Sequence, residues 1–286
     1  MSLGDQSSVP GPRQPPAGVA GYAPAASDVC GGDKAAVEIS VVVPLFNESE
    51  NVVALARRVF ESFAKEPRVL ELVLVDDGST DGTWGQMLAA RQSDGRVRAL
   101  RHLRRAGQSA ALWTGFRAAR GPIICTLDGD LQNDPADLIR MLPLLGESDL
   151  VCGVRVNRQD SLLRRVSTAV ARWARRTVLG VDFQDTGCNL RVFKREVLEK
   201  LFLFDGLHRF MPIVAQAGGA VVREVPVSHQ PRYAGKSKYG VWNRLGRGIF
   251  DLAAIAWYRR RQIGSVETTE YRDEAERIPG PRATRP

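Results

Sequence analysis

The sequence lacks several features that would place it at once in a common class of protein. It contains no apolar run of the ~18–20 residues that a membrane-spanning helix needs, and its first residues show no secretory signal. Its 4 cysteines stand far apart without a CxxC spacing, which argues against a zinc site or a disulfide framework. No dinucleotide-binding glycine fingerprint, zinc-protease motif or serine-hydrolase motif occurs. We therefore expect a chain of the reducing cytoplasm without a spanning helix.

Positive charge is unevenly distributed along the chain. The 286 residues carry a formal net charge of +8, which suits a nucleic acid, an anionic membrane surface or a phosphate-bearing substrate. Positions 155–176 hold seven Arg against one Asp, and positions 232–264 hold eight Lys or Arg against one Asp. No recognised nucleic-acid module is present and the most defined motifs are acidic, so we expect no nucleic-acid partner.

Composition divides the chain into three parts. Residues 1–34 are rich in Pro and Gly and poor in large apolar residues, which predicts a disordered arm. Residues 265–286 contain many charged residues and predict a disordered polar tail. Residues 35–264, which lie between them, are expected to form one folded domain.

Short apolar runs alternate with amphipathic stretches in the first half of this domain. The strands predicted there are Val37–Pro44, Glu71–Val75, Val97–Leu103 and Pro122–Leu127. A helix follows each strand; Asn47 or Ser49 is expected to cap the first, and Asp134-Pro135 to begin the last. This order predicts an α/β fold with a doubly wound, mostly parallel sheet flanked by helices, and ligands at the carboxyl ends of its strands. Further strands are expected within positions 149–156, 187–193 and 220–227.

Two acidic clusters follow predicted strands. Asp128 and Asp130 stand two residues apart with Gly129 between them, and two such carboxylates can reach one hard cation. Mg²⁺ typically takes one or two carboxylates and completes its shell with substrate phosphate oxygens and water. A solvated turn is the alternative interpretation of each cluster alone. Because Asp76 and Asp77 follow an equivalent strand, the joint pattern favours a site for a metal and a nucleotide diphosphate.

Six spaced motifs resemble those of the family-2 glycosyltransferases of the GT-A fold. They are SVVVPLFNESENV (40–52), VDDGSTDGT (75–83), GQSAALWTGF (107–116), LDGDLQNDPADL (127–138), DTGCNLRVFKREV (185–197) and PRYAGKSKYGVWNRL (231–245). Within the family, the sequence looks similar to the polyprenyl-phosphate sugar transferases, which include dolichol-phosphate mannose synthase and the undecaprenyl-phosphate glycosyltransferases. Relatives often have Asn-Phe where this chain has Arg105-Ala106.

The resemblance implies a hexosyltransferase with a UDP- or GDP-linked sugar donor, a polyprenyl-phosphate acceptor and Mg²⁺ or Mn²⁺ as cofactor. The residues it implies for the metal are Asp128, Asp130 and Gln132. Those it implies for the donor are Pro44, Asn47, Glu48, Asp76, Asp77, Gly107 and Gln108. Those it implies for the acceptor phosphate are Arg155, Arg164, Ser167, Arg232, Lys236 and Ser237. The residues expected to be catalytic are Asp128, Asp130, Arg155 and Arg164.

The chemistry of such an acceptor agrees with the charge pattern. A lipid phosphate monoester is mostly dianionic near neutral pH, since its second pKa is about 6, and it needs neutralisation more than it needs a strong base. Arg side chains and a metal supply that neutralisation, which predicts direct displacement with inversion. The alternative is a soluble glycan, a protein, or a lipid-A or polysaccharide glycan as acceptor. A neutral acceptor would not require two Arg-rich segments.

Both basic segments are predicted to form amphipathic helices. Their apolar stripes are Leu163, Val166, Val170 and Trp173 in the first, and Trp242, Leu245, Ile249, Leu252 and Ala256 in the second. Basic amphipathic helices with Trp are typical of segments that lie in a membrane interface, and packing of both helices on the domain is the alternative. We expect a peripheral protein at the cytoplasmic face of the inner membrane, or one that depends on a separate membrane subunit.

Overall fold

The computed structural model describes residues 36–156, 162–230 and 241–261. The predicted arm and tail lie outside these residues. So do three residues expected to bind the acceptor phosphate, Arg232, Lys236 and Ser237. Two others, Arg164 and Ser167, belong to a described helix, but their side chains are outside the description.

The described strands form one sheet in the order β3-β2-β1-β4-β6-β5-β7. The strands are β1 Ile39–Leu45, β2 Leu70–Asp76, β3 Val97–Arg101, β4 Ile123–Thr126, β5 Leu150–Arg155, β6 Arg191–Lys194 and β7 Val222–Val227. The pairs β1–β2, β1–β4, β2–β3 and β5–β7 are parallel, whereas β6 runs antiparallel to both β4 and β5. The predicted doubly wound, mostly parallel sheet is confirmed.

The helices follow the strands as the periodicity predicts. They are α1 Val52–Ser62, α2 Thr83–Ser93, α3 Gln108–Ala118, α4 Pro135–Met141, α5 Leu162–Leu179, α6 Leu207–Ala217 and α7 Val241–Arg261, with 3-10 helices at Leu142–Gly146 and Arg195–Lys200. Helix α4 begins as expected, because the side chain of Asp134 accepts a hydrogen bond from the N–H of Ala136. The predicted cap of α1 is wrong: the helix begins at Val52, and the Asn47 side chain instead accepts a hydrogen bond from the N–H of Thr80.

Two hydrophobic clusters lie on the two faces of the sheet. Val41 and Val43 of β1 pack with residues of α1, α2 and α4, and Val42 packs on the other face with residues of α3, α6 and α7. Helix α3 lies so close to the sheet that a Cβ atom at Gly115 would be 2.3 Å from Cγ1 of Val42. Helix α3 is thus held on the sheet, and its N-terminus lies beside the residues that follow β2 and β4.

The two predicted amphipathic helices, α5 and α7, contact each other. Leu252 and Ala256, at the end of the stripe predicted on α7, pack against the core together with the buried Ile255. This part of the stripe is therefore a packing face. Among the side chains that the structure describes in these two helices, the exposed large apolar ones are Val170, Trp173, Val178, Phe250 and Trp257. No helix in the described residues is long and apolar enough to cross a membrane.

A candidate active site at the carboxyl edge of the sheet

Asp76 and Asp77, at the end of β2, are buried and hold the turns around them. Asp76 accepts a hydrogen bond from the N–H of Ser79 and lies 3.1 Å from Nε of Arg101. Asp77 accepts hydrogen bonds from the N–H groups of Ala106 and Gly107, each at 2.8 Å. The two carboxylates therefore shape the edge that the predicted donor would occupy, and their direct contact with the donor stays a prediction.

The loop after β3 approaches this turn closely. Gly78 has a φ of +69°, and a Cβ atom there would lie 2.6 Å from the backbone nitrogen of Arg105, so only glycine fits without a shift of the backbone. The guanidinium of Arg105 in turn lies 4.2 Å from the ring centroid of Phe46, just after β1. This cation–π contact closes the edge between β1 and β3 at the position where relatives often have Asn.

Asn47 and Glu48, two predicted donor residues, brace the end of β1 against the loop after β2. The N–H of Asn47 donates to Oγ of Ser79 at 2.9 Å, and the N–H of Glu48 donates to Oγ1 of Thr83 at 2.8 Å. Pro44 lies in β1, three residues before Asn47, and is opposite Val75 of β2 in the sheet. The structure thus brings all three predicted residues to the same edge as Asp76 and Asp77.

Asp128, just after β4, is the electrostatic centre of this edge. Its Oδ1 accepts hydrogen bonds from Nε2 of Gln108 at 3.0 Å and from Nδ2 of Asn189 at 3.1 Å. Burial, and next the charge of Asp130, raise the pKa of Asp128 to about 6, while the amide of Asn189 acts in the opposite direction. Two carboxylates held close together in a poorly solvated position attract a cation.

Arg155, at the end of β5, is clamped by Asp185. Its Nε and Nη2 donate to the two carboxylate oxygens of Asp185 at 2.7 and 2.8 Å. Burial alone would lower the pKa of Arg155, but the hydrogen bonds and charge of Asp185 outweigh it and leave the pKa raised. Glu224 of β7 fixes the clamp from behind, because its carboxylate accepts the N–H groups of Gln184 and Asp185. A permanently charged guanidinium is thus held in one orientation near Asp128.

The segment after β7 is fastened to the acidic motif. The N–H of Gln230 donates to the carbonyl oxygen of Gln132 at 2.8 Å, and Nε2 of Gln132 donates back to the carbonyl oxygen of Gln230 at 3.2 Å. The N–H of Ser228 donates to Oδ2 of the buried Asp137 at 2.7 Å. The chain therefore enters the basic stretch 231–240 from a position anchored beside the predicted metal residues.

The chemistry of this donor set fits a hard divalent cation. Asp128 and Asp130 supply two carboxylates, and the side-chain oxygen of Gln132 adds a neutral ligand of the kind Mg²⁺ and Mn²⁺ accept. The described residues contain no group of three or more His, Cys, Asp or Glu side chains that could hold a metal by themselves. Two carboxylates suffice where phosphate oxygens of a substrate complete the shell.

Two residues of this edge were not predicted from sequence, Asp185 and Asn189. Both precede β6, and β6 is antiparallel to β4 with Arg191 opposite Thr126. Residues before β6 therefore lie at the same edge as residues after β4. Both side chains belong to the motif DTGCNLRVFKREV, so their polarity next to a buried strand was the signal that could have identified them.

Comparison with solved structures identifies the same fold elsewhere. Glucosyl-3-phosphoglycerate synthase of Mycobacterium tuberculosis with phosphoglyceric acid aligns with a TM-score of 0.58 at 23% identity, over 78% of this chain and 80% of that one. The same enzyme with Mg²⁺ and uridine diphosphate aligns with a TM-score of 0.57 at 22% identity, over 78% and 79% of the two chains. At this identity the likeness shows the fold alone, and it confirms the predicted GT-A type.

Curated relatives are more similar in sequence. Dodecaprenyl-phosphate galacturonate synthase of Rhizobium johnstonii is 39% identical over 235 residues, which cover 78% of this chain and 68% of that protein. Undecaprenyl-phosphate 4-deoxy-4-formamido-L-arabinose transferase of Pseudomonas aeruginosa is 37% identical over 216 residues, which cover 75% and 63%. The chain thus spans about two thirds of the length of these relatives. Residues 40–202 match the model of glycosyl transferase family 2, and the chain belongs to that family of glycosyltransferases.

Proposed function

We propose that this chain transfers a sugar from a UDP- or GDP-linked donor to a polyprenyl phosphate, with inversion at the anomeric carbon. The names of the two relatives, both transferases of sugars to polyprenyl phosphates, support this acceptor class. The observation that carries the proposal is the juxtaposition of an acidic pair, Asp128 and Asp130, with the clamped guanidinium of Arg155. Thr126 of β4 and Cys152 of β5 both lie opposite Arg191 of β6, so Asp128 and Arg155, which follow those positions by two and three residues, lie at the same edge of the sheet.

The reaction brings together two anions, the donor diphosphate and the acceptor phosphate. The positive charge of Arg155 would attract the acceptor phosphate. Arg155 would bind the acceptor phosphate through the guanidinium N–H groups that Asp185 does not occupy, since Arg has five such donors. A phosphate oxygen then attacks the anomeric carbon, a new C–O bond forms, and the bond to the donor diphosphate breaks. The nucleoside diphosphate leaves with the electron pair. No general base is needed, because the acceptor is already a dianion.

The acidic pair serves the donor side. Asp128, Asp130 and Gln132 would hold Mg²⁺ or Mn²⁺, which stabilises a leaving diphosphate as a Lewis acid. The side chain of Gln108, the first residue of α3, donates a hydrogen bond to the carboxylate of Asp128 and fixes its orientation. Asp77 in turn fixes the N-terminus of α3, because its carboxylate accepts a hydrogen bond from the N–H of Gly107. These contacts hold the ligand groups in place before any substrate binds, and such preorganisation is the main source of electrostatic catalysis.

The surface of α5 and α7 is where we propose contact with an anionic membrane. Trp173 and Phe250 are 67% and 76% exposed, and Trp257 is also exposed. Arg172, Arg175 and Arg176 lie on α5, and Arg259, Arg260 and Arg261 end α7. Exposed aromatic side chains beside Arg suit the interface of an anionic bilayer. We propose peripheral attachment at the cytoplasmic face, with or without a separate membrane subunit.

The test is transfer of labelled sugar to undecaprenyl phosphate, measured as label in the organic extract. Asp128→Ala should reduce the rate at least about a hundredfold at saturating Mg²⁺, because it removes stabilisation of the leaving group. Asp134→Asn is the matched control: it removes a negative charge from the same loop but keeps the cap on Ala136, so the rate should stay within twofold. Full turnover of Asp128→Ala, or label only in water-soluble glycans, would contradict the proposal.

A further inference from the structure

Asn189 is a buried polar residue whose position in the core has no evident packing reason. It is 3% exposed and stands between Cys188 and Leu190, which are both buried in hydrophobic cluster positions. Its Nδ2 donates to Oδ1 of Asp128 at 3.1 Å. Its own side-chain oxygen is buried without a hydrogen-bond partner among the described residues. A buried acceptor without a donor, such as Oδ1 of Asn189, lowers the stability of the fold. The hydrogen bond from Nδ2 of Asn189 to Asp128 is therefore the reason for an amide at this position.

Asp128 receives a second amide on the same oxygen. Nε2 of Gln108, the first residue of α3, donates to Oδ1 at 3.0 Å. Two donors on one carboxylate oxygen fix both the rotation of the carboxylate and the direction of its other oxygen. In the described residues no side chain donates to Oδ2 of Asp128, so the pair of amides leaves that oxygen for a ligand.

Both donors are themselves held rigidly. The carbonyl oxygen of Asn189 accepts a hydrogen bond from Oγ1 of Thr126, which lies in β4 two residues before Asp128. Gln108 is the first residue of α3, and its neighbour Ser109 contacts the ring of His208 and the N–H of Gly206 at the start of α6. The supports come from a strand and from a helix, and neither depends on a substrate.

We infer that Asn189 is a positioning residue that, together with Gln108, orients the carboxylate of Asp128 toward a divalent cation. This inference rests on the proposed function, in which Asp128 is a metal ligand. Groups that hydrogen-bond to a metal-binding carboxylate typically change metal affinity by about 10–100-fold when they are removed. Asn189 should therefore affect cation binding even though it does not contact the reacting atoms.

Mn²⁺ binding tests the inference when UDP or GDP is present, because phosphate oxygens complete the metal shell. It is followed by electron paramagnetic resonance of the free ion, with the nucleotide and Mn²⁺ without protein as the baseline. Asn189→Leu keeps the approximate volume and removes the donor, and the Kd for Mn²⁺ should rise by at least about tenfold. Gln108→Leu should act in the same direction because it removes the second donor. Asn189→Ala, which cannot overpack the site, serves in place of the Leu variant if that protein does not fold, and the same rise is expected.

Ser148→Ala is the matched control. It removes a buried hydrogen bond, from Oγ of Ser148 to the carbonyl oxygen of Leu144, at the amino end of β5 and so at the opposite edge of the sheet; the melting temperature should fall while the Kd for Mn²⁺ stays within about threefold of wild type. If the folded Asn189 variants bind Mn²⁺ as wild type does, Asn189 is purely structural and the inference is overturned, while the proposed function stands. If the wild-type protein itself binds no Mn²⁺, the metal-assisted function is contradicted.

Discussion

His208, at the start of α6, should make the stability of this protein sensitive to mild acid. Its Nδ1 lies 2.8 Å from Oγ of Ser109, and that oxygen also accepts hydrogen bonds from the N–H groups of Gly206 and His208. The hydroxyl proton of Ser109 is then left to be donated to Nδ1, which requires a neutral ring. Burial, and next the charges of Arg209 and Arg191, lower the pKa of His208 to about 3.

The sign and size of the effect follow from this pKa. The folded value lies below the ~6.5 of an unfolded chain, so the unfolded state takes up a proton first as the pH falls. The stability that the neutral ring contributes is complete above pH ~6.5 and is lost progressively as the pH falls toward the folded pKa. A pH of 5 lies ~1.5 units below the pKa of histidine in the unfolded chain. At ~1.36 kcal/mol per unit, the free energy of unfolding therefore falls by about 2 kcal/mol.

His208→Asn is the matched variant, because the Asn oxygen can still accept the Ser109 proton but cannot titrate. Urea denaturation at pH 7 and pH 5 gives the free energy of unfolding of both proteins. Wild type should lose about 2 kcal/mol more than the variant between these pH values. All other titrating groups are shared, so an equal loss in the two proteins would refute the assignment of a buried neutral histidine.

Two further predictions concern the core and the surface. Glu71→Ala should lower the free energy of unfolding by about 3 kcal/mol, because the buried carboxylate accepts a hydrogen bond from the N–H of Arg120 at 2.6 Å and its removal leaves buried donors unpaired. Urea denaturation measures this loss, and a value below about 1 kcal/mol would contradict the prediction. The double variant Phe250→Ser and Trp257→Ser should sediment about tenfold less than wild type with anionic vesicles at low salt, because it removes exposed apolar side chains from α7. The control Val53→Ser, which changes an exposed apolar residue of α1, should sediment as wild type does. Equal sedimentation of wild type and both variants would contradict the proposed interfacial surface.

The parallel half of the sheet could be predicted because its signals are local. Runs such as Ile39–Leu45 are apolar apart from Ser40, as expected of buried parallel strands, and the acidic residues at the ends of β2 and β4 mark one edge. The cap of α1 failed as a prediction because Asn47 bonds to Thr80, which is distant in sequence, and no local pattern reports such a partner. Tertiary contacts decided that helix start.

The second half of the site could not be placed from sequence for a topological reason. A strand that reverses its direction brings the residues before it to the edge where other strands end, and β6 is only four residues long. The contacts of Asp185 and Asn189 therefore became visible only with the antiparallel pairing of β4 and β6. The face of α7 that packs on the core also depended on tertiary structure, since Leu252 and Phe250 are both apolar and only the first is covered.

The most direct test of the account is a donor panel with the wild-type protein. UDP- and GDP-linked sugars are offered with undecaprenyl phosphate and Mg²⁺ or Mn²⁺, and the organic extract is analysed for a sugar phosphodiester of the lipid and for its anomeric configuration. The account predicts that at least one donor yields this lipid product with inverted configuration, and that chelation of the metal abolishes its formation. A product with retained configuration, or transfer that occurs only to water-soluble acceptors, would contradict it.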